Sequence, residues 1–156
     1  MKILHVINNL GAGGAEKIVK QLTLLISLGG KHKVDILLLT DKGNVFDRDL
    51  KNKGIKISII PLRKPRNPLN IFFIRNFILY NKYDIVHAHL FPTLYWVSIA
   101  SKLIFGHEKP CFFFTEHSTY NRRRGKKVFR FFDKVIYSSY DRIISVIARI
   151  NNFIQW

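Results

Sequence analysis

The chain has 156 residues, 47% of them apolar, and a formal net charge of +16 from 26 lysines and arginines against 10 acids. That length and apolar share fit one α/β domain with a real core and exclude a disordered chain. The charge implies a polyanionic neighbour, be it a phosphorylated substrate, an anionic membrane or nucleic acid.

A single cysteine, Cys111, excludes an internal disulfide and fits a reducing compartment. The apolar run after Lys2 is too short for a signal peptide and contains His5. No stretch of about eighteen uncharged apolar residues predicts a transmembrane helix.

In chain order, Lys2 to Ile7 reads as a first strand. The turn Asn8-Asn9-Leu10-Gly11-Ala12-Gly13-Gly14 carries it into a helix from Ala15 to about Leu28, where Ile18, Leu22, Leu25 and Ile26 recur at helical spacing. Gly29-Gly30 ends that helix as a C-cap does. Lys33 to Thr40 is the near-continuous apolar run of a buried parallel strand. After a turn at Asp41 to Asn44, Val45 to Lys53 reads as a short polar helix closed by Gly54. Ile55 to Ile60 alternates and predicts a third strand. Pro61 to Pro68 is a basic loop with Arg63, Lys64 and Arg66. Leu69 to Tyr80 is a very apolar helix, read as packed in the core; a shallow membrane contact beside that loop is the sharper alternative. Asp84 to His87 predicts a short fourth strand, Pro92 to Phe105 a helix, and Pro110 to Thr115 a fifth strand. A loop from Ser118 to Gly125, a basic aromatic helix from Lys126 to Ser138 and a sixth strand from Arg142 to Val146 follow. Ile147 to Trp156 reads as one or two helical turns.

This alternation predicts an α/β fold, a Rossmann-like parallel sheet with helices on both faces. Ligands of such sheets bind beyond the carboxyl ends of the strands. The Gly-rich turn, His87-Ala88-His89 and Thr115-Glu116-His117-Ser118 are all expected to follow strands at that edge.

Glycines in the turn let the backbone approach a ligand and take φ > 0, and the helix that follows presents free N–H groups to an anion. The cluster is not a clean G-x-G-x-x-G, because Glu16 stands where the third glycine belongs. A bare tight turn explains it equally well. His87 and His89 share a face at strand spacing, which suits a metal, yet no third ligand is evident; hydrogen-bonded strand-end histidines are the plainer reading. His117 is placed to donate to a substrate hydroxyl or phosphate. Residues 119–134 hold seven basic side chains, Arg122, Arg123 and Arg124 among them, and one acid, Asp133. They predict either a solvated basic face or a contact with an anionic acceptor or membrane. No base-reading motif is present, which argues against nucleic acid.

Together these stretches resemble the amino-terminal half of family 4 glycosyltransferases. The resemblance is carried by Lys2-Ile3-Leu4-His5-Val6, Gly13-Gly14-Ala15-Glu16, Tyr83-Asp84-Ile85-Val86-His87-Ala88-His89, Thr115-Glu116-His117-Ser118 and Asp141-Arg142-Ile143-Ile144-Ser145-Val146, in this order. It implies one half of a GT-B architecture: an acceptor-side domain at 1–146, a divergent or truncated tail at 147–156, and an absent carboxy-terminal donor-binding domain. It implies retaining transfer of a hexose from a nucleotide-sugar to a surface-glycan or lipid-linked acceptor, with no cofactor and no metal. His117 is then catalytic or positioning at the transferred sugar. Gly13 and Gly14 lie against the donor diphosphate, Arg122 to Arg124 attract an anionic acceptor or head group, and Glu16, His87, His89 and Glu116 line the cleft. It further implies a cytoplasmic protein, peripheral at the inner face of a bacterial plasma membrane, inactive alone or completed by a separate chain. Two rival readings are a non-catalytic basic module on anionic membrane or nucleic acid, and a dinucleotide-binding domain reading a ribose with Asp41.

Overall fold

The computed structural model describes residues 1–106, 109–117 and 133–145. In chain order it has strand β1 (Lys2–Ile7), helix α1 (Gly14–Leu28), β2 (Lys33–Leu38), α2 (Asp47–Asn52), β3 (Lys56–Ile59), α3 (Asn70–Asn81), β4 (Ile85–His89), α4 (Thr93–Lys102), β5 (Cys111–Glu116) and β6 (Arg142–Ser145). Residues 133–137 are helical ahead of β6. Most of the expected basic loop and helix, Arg122, Arg123 and Arg124 included, and the tail at 147–156 lie outside the described residues.

The six strands form one sheet in the order β3-β2-β1-β4-β5-β6, each neighbouring pair parallel. Strand order reverses between β1 and β4, and that point opens a crevice at the carboxyl ends of the strands. Strand alternation then sorts the core into two layers. Leu4 and Val6, Val86 and Ala88, and Phe112 and Phe114 pack with Ile74 and Ile78 of α3 and Val97 of α4 on one face. Ile7, Ile36 and Leu38 pack with Val19 of α1 and Leu50 of α2 on the other. The expected Rossmann-like sheet with helices on both faces is the observed one.

Two aspartates fix the register at the amino ends. The backbone N–H of Lys2 donates to Asp84 Oδ2 at 2.6 Å, and that of Phe112 donates to Asp141 Oδ2 at 2.7 Å. Each acid stands just before a strand and satisfies the first free donor of the strand beside it, a group that otherwise goes unpaired.

Three expectations about packing change. In α1, Val19 and Thr23 face the sheet, whereas Ile18 is 36% and Leu25 69% exposed. The sheet meets the Val19 edge of the apolar stripe and leaves its Ile18 edge to solvent. In α3, Asn70, Ile74 and Ile78 are buried, but Phe72 is 57% and Phe73 37% exposed, so the helix is half core and half surface. Finally, β4 runs to His89 rather than ending at His87, since β5 pairs with it through His89↔Thr115.

Beneath the sheet's amino edge, the buried Tyr83 hydroxyl donates to Oδ2 of buried Asp35 at 2.8 Å, while Asp35 Oδ1 has no partner. Burial, and the bond to Asp35, hold the Tyr83 phenol well above its ordinary range. Replacing Tyr83 with Phe strips the carboxylate of this donor. We expect Tyr83→Phe to lower unfolding free energy by about 1–3 kcal/mol in urea titration, with an unchanged circular dichroism spectrum.

Candidate functional site

The site is built where β1, β4 and β5 end. The turn after β1 is strapped from both sides. Asn8 Nδ2 donates to the Phe91 carbonyl at 2.8 Å, and the Thr93 hydroxyl donates to Asn8 Oδ1 at 2.9 Å, so one side chain ties the turn to the start of α4. On the other side, Asn9 Nδ2 donates to the Lys42 carbonyl at 2.9 Å and the Leu10 N–H donates to Asn44 Oδ1 at 2.8 Å. Between Asn8 and the start of α4, Leu90 adopts a left-handed φ of 65°, a conformation that costs energy outside glycine and is concentrated at functional sites.

The glycines do a different job from the expected one. Gly13 caps α1 with φ −74°, ψ 166°, an extended conformation open to any residue, and Gly14 is already helical. A Cβ on Gly13 would overlap the Glu16 carboxylate, whereas one on Gly14 meets nothing within 4 Å. A side chain at Gly13 would therefore push the flexible Glu16 carboxylate aside. Glu16, at the third helical position, lies over the cap and complements the positive end of α1.

The histidines gather in a way the sequence did not suggest. His5 and His87 are register partners on neighbouring strands and His89 lies two residues on, so all three point to the α1 face. All are buried. His5 Nδ1 lies 3.0 Å from His89 Nε2, and His89 Nδ1 lies 3.2 Å from His117 Nε2. His87 Nε2 lies 2.7 Å from the Thr115 hydroxyl. Sequence reasoning missed His5, Asn8 and Thr115. The signal for His5 was available only as a strand pairing, since it sits 82 positions before its register partner, His87.

His5, His87 and His89 offer nitrogens within 4.8 Å of one another, the sole such trio of metal-type donors among the described residues. Those of His5 and His89 that face each other are 3.0 Å apart. Two imidazoles on one tetrahedral zinc hold their nitrogens about 3.3 Å or more apart. In this arrangement the lone pairs serve hydrogen bonds.

Three expected cleft residues prove to be internal. His87 and His89 lie within β4 instead of following it, and no more than 5% of either is exposed, because β5 and the α1-side residues cover them. Glu116 is the last residue of β5, points to the opposite face, is 8% exposed, and accepts the Tyr137 hydroxyl at 2.6 Å. His117 alone steps off the end of β5 and is half-buried. Burial lowers its pKa, opposed by the charges of Glu116 and Glu16. Asp41, the acid proposed to read a ribose, is instead engaged by Arg63 at 2.7 Å.

A family model described as Glycosyltransferase Family 4 matches residues 12–154. The chain belongs to this family. Among solved structures it is similar to a glycosyltransferase from Rickettsia africae ESF-5 (22% identity, TM-score 0.71, covering 97% of this chain and 38% of that one). It is also similar to the lipopolysaccharide outer core galactosyltransferase WaaB in its apo form (18% identity, TM-score 0.67, covering 97% and 41%). A third is Acinetobacter baumannii MurG (16% identity, TM-score 0.66, covering 94% and 41%). No curated protein matches by sequence. The family 4 chain thus has the fold of one half of a GT-B glycosyltransferase and spans about two fifths of the structures it resembles.

Burial depresses the pKa of His5 to about 4 and of His87 to about 3, and holds that of His89 well below 6.5, with the neighbouring imidazoles adding to the effect on His87 and His89. The unfolded chain binds these protons first, near pH 6.5, so stability is complete above that pH and falls as pH drops toward 4 and 3. Each group contributes a slope of about 1.4 kcal/mol per pH unit. We expect unfolding free energy to drop steeply between pH 6.5 and 5. His87→Gln, whose amide still reaches the Thr115 hydroxyl, should make that slope about one third shallower in denaturant titrations.

Proposed function

We propose that this chain is the acceptor-side, amino-terminal half of a retaining glycosyltransferase that moves a hexose from a nucleotide-sugar to a surface-glycan or lipid-linked acceptor. The observation that carries the reading is the position of His117 just past β5 and of the Gly13 cap of α1 just past β1, on the same carboxyl edge of the parallel sheet, in a chain of this family. In this reading His117 directs a ring N–H to the sugar or to the acceptor hydroxyl. The free N–H groups at Gly14 and Ala15 face the donor diphosphate, as helix amino termini do. Glu16 now occupies that position and must swing aside, because a carboxylate and a diphosphate repel. The leaving diphosphate draws most of its stabilisation from the other half of the GT-B cleft, supplied by the remainder of the protein or by a separate chain. No metal or cofactor is invoked.

Nuclear magnetic resonance of the labelled chain titrated with UDP tests this. The Gly13 and Gly14 amides and the His117 ring should move together with one dissociation constant. Glu16→Gln should tighten UDP binding about five- to tenfold, the worth of one like charge removed at close range. Shifts confined to surface lysines and arginines, with the cap and His117 unmoved, would overturn the reading.

The same protein is proposed to work in the cytoplasm, peripheral on an anionic membrane. Support comes from Phe72 and Phe73, exposed on α3 beside exposed Lys64 and Arg66, and from the +16 charge, with Arg122 to Arg124 adding to it. No helix among the described residues is long and apolar enough to cross a membrane. Sedimentation with phosphatidylglycerol vesicles should retain the chain and neutral vesicles should not. Each phosphate-facing Lys or Arg contributes about 1 kcal/mol at low salt, so 0.5 M salt should release it. Phe72→Ser with Phe73→Ser should weaken binding several-fold at unchanged charge.

A further inference from the structure

His117, His89 and His5 form a continuous chain of ring nitrogens running from the half-open end of β5 into the core. Each neutral imidazole has one N–H donor and one bare acceptor nitrogen. The chain therefore has only two consistent states. In one, His117 Nε2–H donates to His89 Nδ1, His89 Nε2–H donates to His5 Nδ1, and His5 is left with an N–H at Nε2. In the other, His5 Nδ1–H donates to His89 Nε2, His89 Nδ1–H donates to His117 Nε2, and His5 Nε2 is bare.

His5 Nε2 decides between them, for it is buried and has no hydrogen-bond partner. A buried N–H without an acceptor is the rarer and costlier orphan. A bare ring nitrogen against apolar walls is the easier one to bury.

We propose that His89, backed by His5, is a positioning residue that locks His117 as the Nδ1–H tautomer, so that His117 meets its ligand as a hydrogen-bond donor with its Nε2 already engaged. The chain ends blind at His5, so it holds a proton in place and does not conduct one. Neutral His117 also resists protonation, because a second proton must enter at Nε2, where the His89 N–H already points. The tautomer lock concerns this chain alone; only its consequence, a donor aimed at a sugar or acceptor oxygen, rests on the glycosyltransferase reading.

The test is long-range proton–nitrogen correlation on the histidine-labelled full chain at pH 7.5, without ligand. Free histidine in water prefers the proton on Nε2. The lock requires pyrrole-type Nδ1 and pyridine-type Nε2 on His5, His89 and His117 together. His89→Gln should return His117 toward the aqueous mixture, a change that a purely space-filling role for His89 would not produce. His117 with its proton on Nε2 in the wild-type spectrum overturns the proposal, and this outcome does not depend on whether the variant folds. So does a stoichiometric shift of the His5, His87 and His89 rings on adding zinc, which would make that trio a metal centre. Because no nucleotide is present, failure here is separate from failure of the UDP titration: correct tautomers with an unmoved cap and His117 ring leave the lock standing and remove the donor site.

Discussion

The pairing of β1 with β4 is the constraint on which the rest of the structure depends. These two strands are distant in sequence, and between them the order of the sheet reverses. Register Ile3↔Ile85 through Val6↔Ala88 puts His5 beside His87 and sends Leu4, Val6, Val86 and Ala88 to the opposite layer. A slip of one residue would turn every side chain of β1 to the other face. His5 would leave the polar cluster, and Leu4 and Val6 would face it. The register is guarded at both ends, by Asp84 on the Lys2 N–H and by Asn8 on the start of α4. The polar cluster therefore acts as a register pin in its own right, since only one alignment pairs its nitrogens.

Most of the architecture was legible because it is written in local pattern. Continuous apolar runs marked the buried strands and a period near 3.6 marked the helices, and six strands in parallel alternation fell where the spacing put them. What was not legible is what depends on partners far away in the chain. His5 reads as a polar interruption in an apolar strand until β4 is set beside it. His87 and His89 look like residues just past a strand, because two histidines weaken an apolar run; the pairing with β5 shows that the strand continues through them. The faces of α1 and α3 were misread for a related reason. Ile18 and Val19 differ by one position and about 100° around the helix, and with apolar residues at both, the sheet alone decides which is buried.

The surface and the interior divide the electrostatic work. Among the described residues the acids of this basic chain are largely committed. Asp41, Asp47 and Asp49 pair with Arg63, Lys51 and Lys20 at the surface. Asp35, Asp84, Asp133, Asp141 and Glu116 accept internal hydrogen bonds. Excess positive charge is thus left to the outside, where it acts over roughly a Debye length and falls off with salt. Such a surface governs encounter with an anionic partner and carries little selectivity of its own.

The interior of the site is built on the opposite plan. Around His117 stand neutral imidazoles and carboxylates, with no described Lys or Arg among the groups that perturb it. An anion approaching here meets N–H dipoles and the amino end of α1, and it must displace Glu16. Fixed dipoles in a sheltered site are effective because they need no reorganisation when charge develops, whereas a flexible cation must be held in place. A nucleotide-sugar carries its negative charge on the diphosphate and little on the hexose. On the reading proposed above, a half-site of neutral donors with a removable carboxylate suits the sugar side of such a molecule and leaves the diphosphate to be gripped chiefly from across the cleft. On this division a strongly basic chain can carry a histidine cluster that stays uncharged at neutral pH: attraction is handled by the surface, while the site needs donors of fixed direction, which burial and hydrogen bonding to His89 and His5 provide.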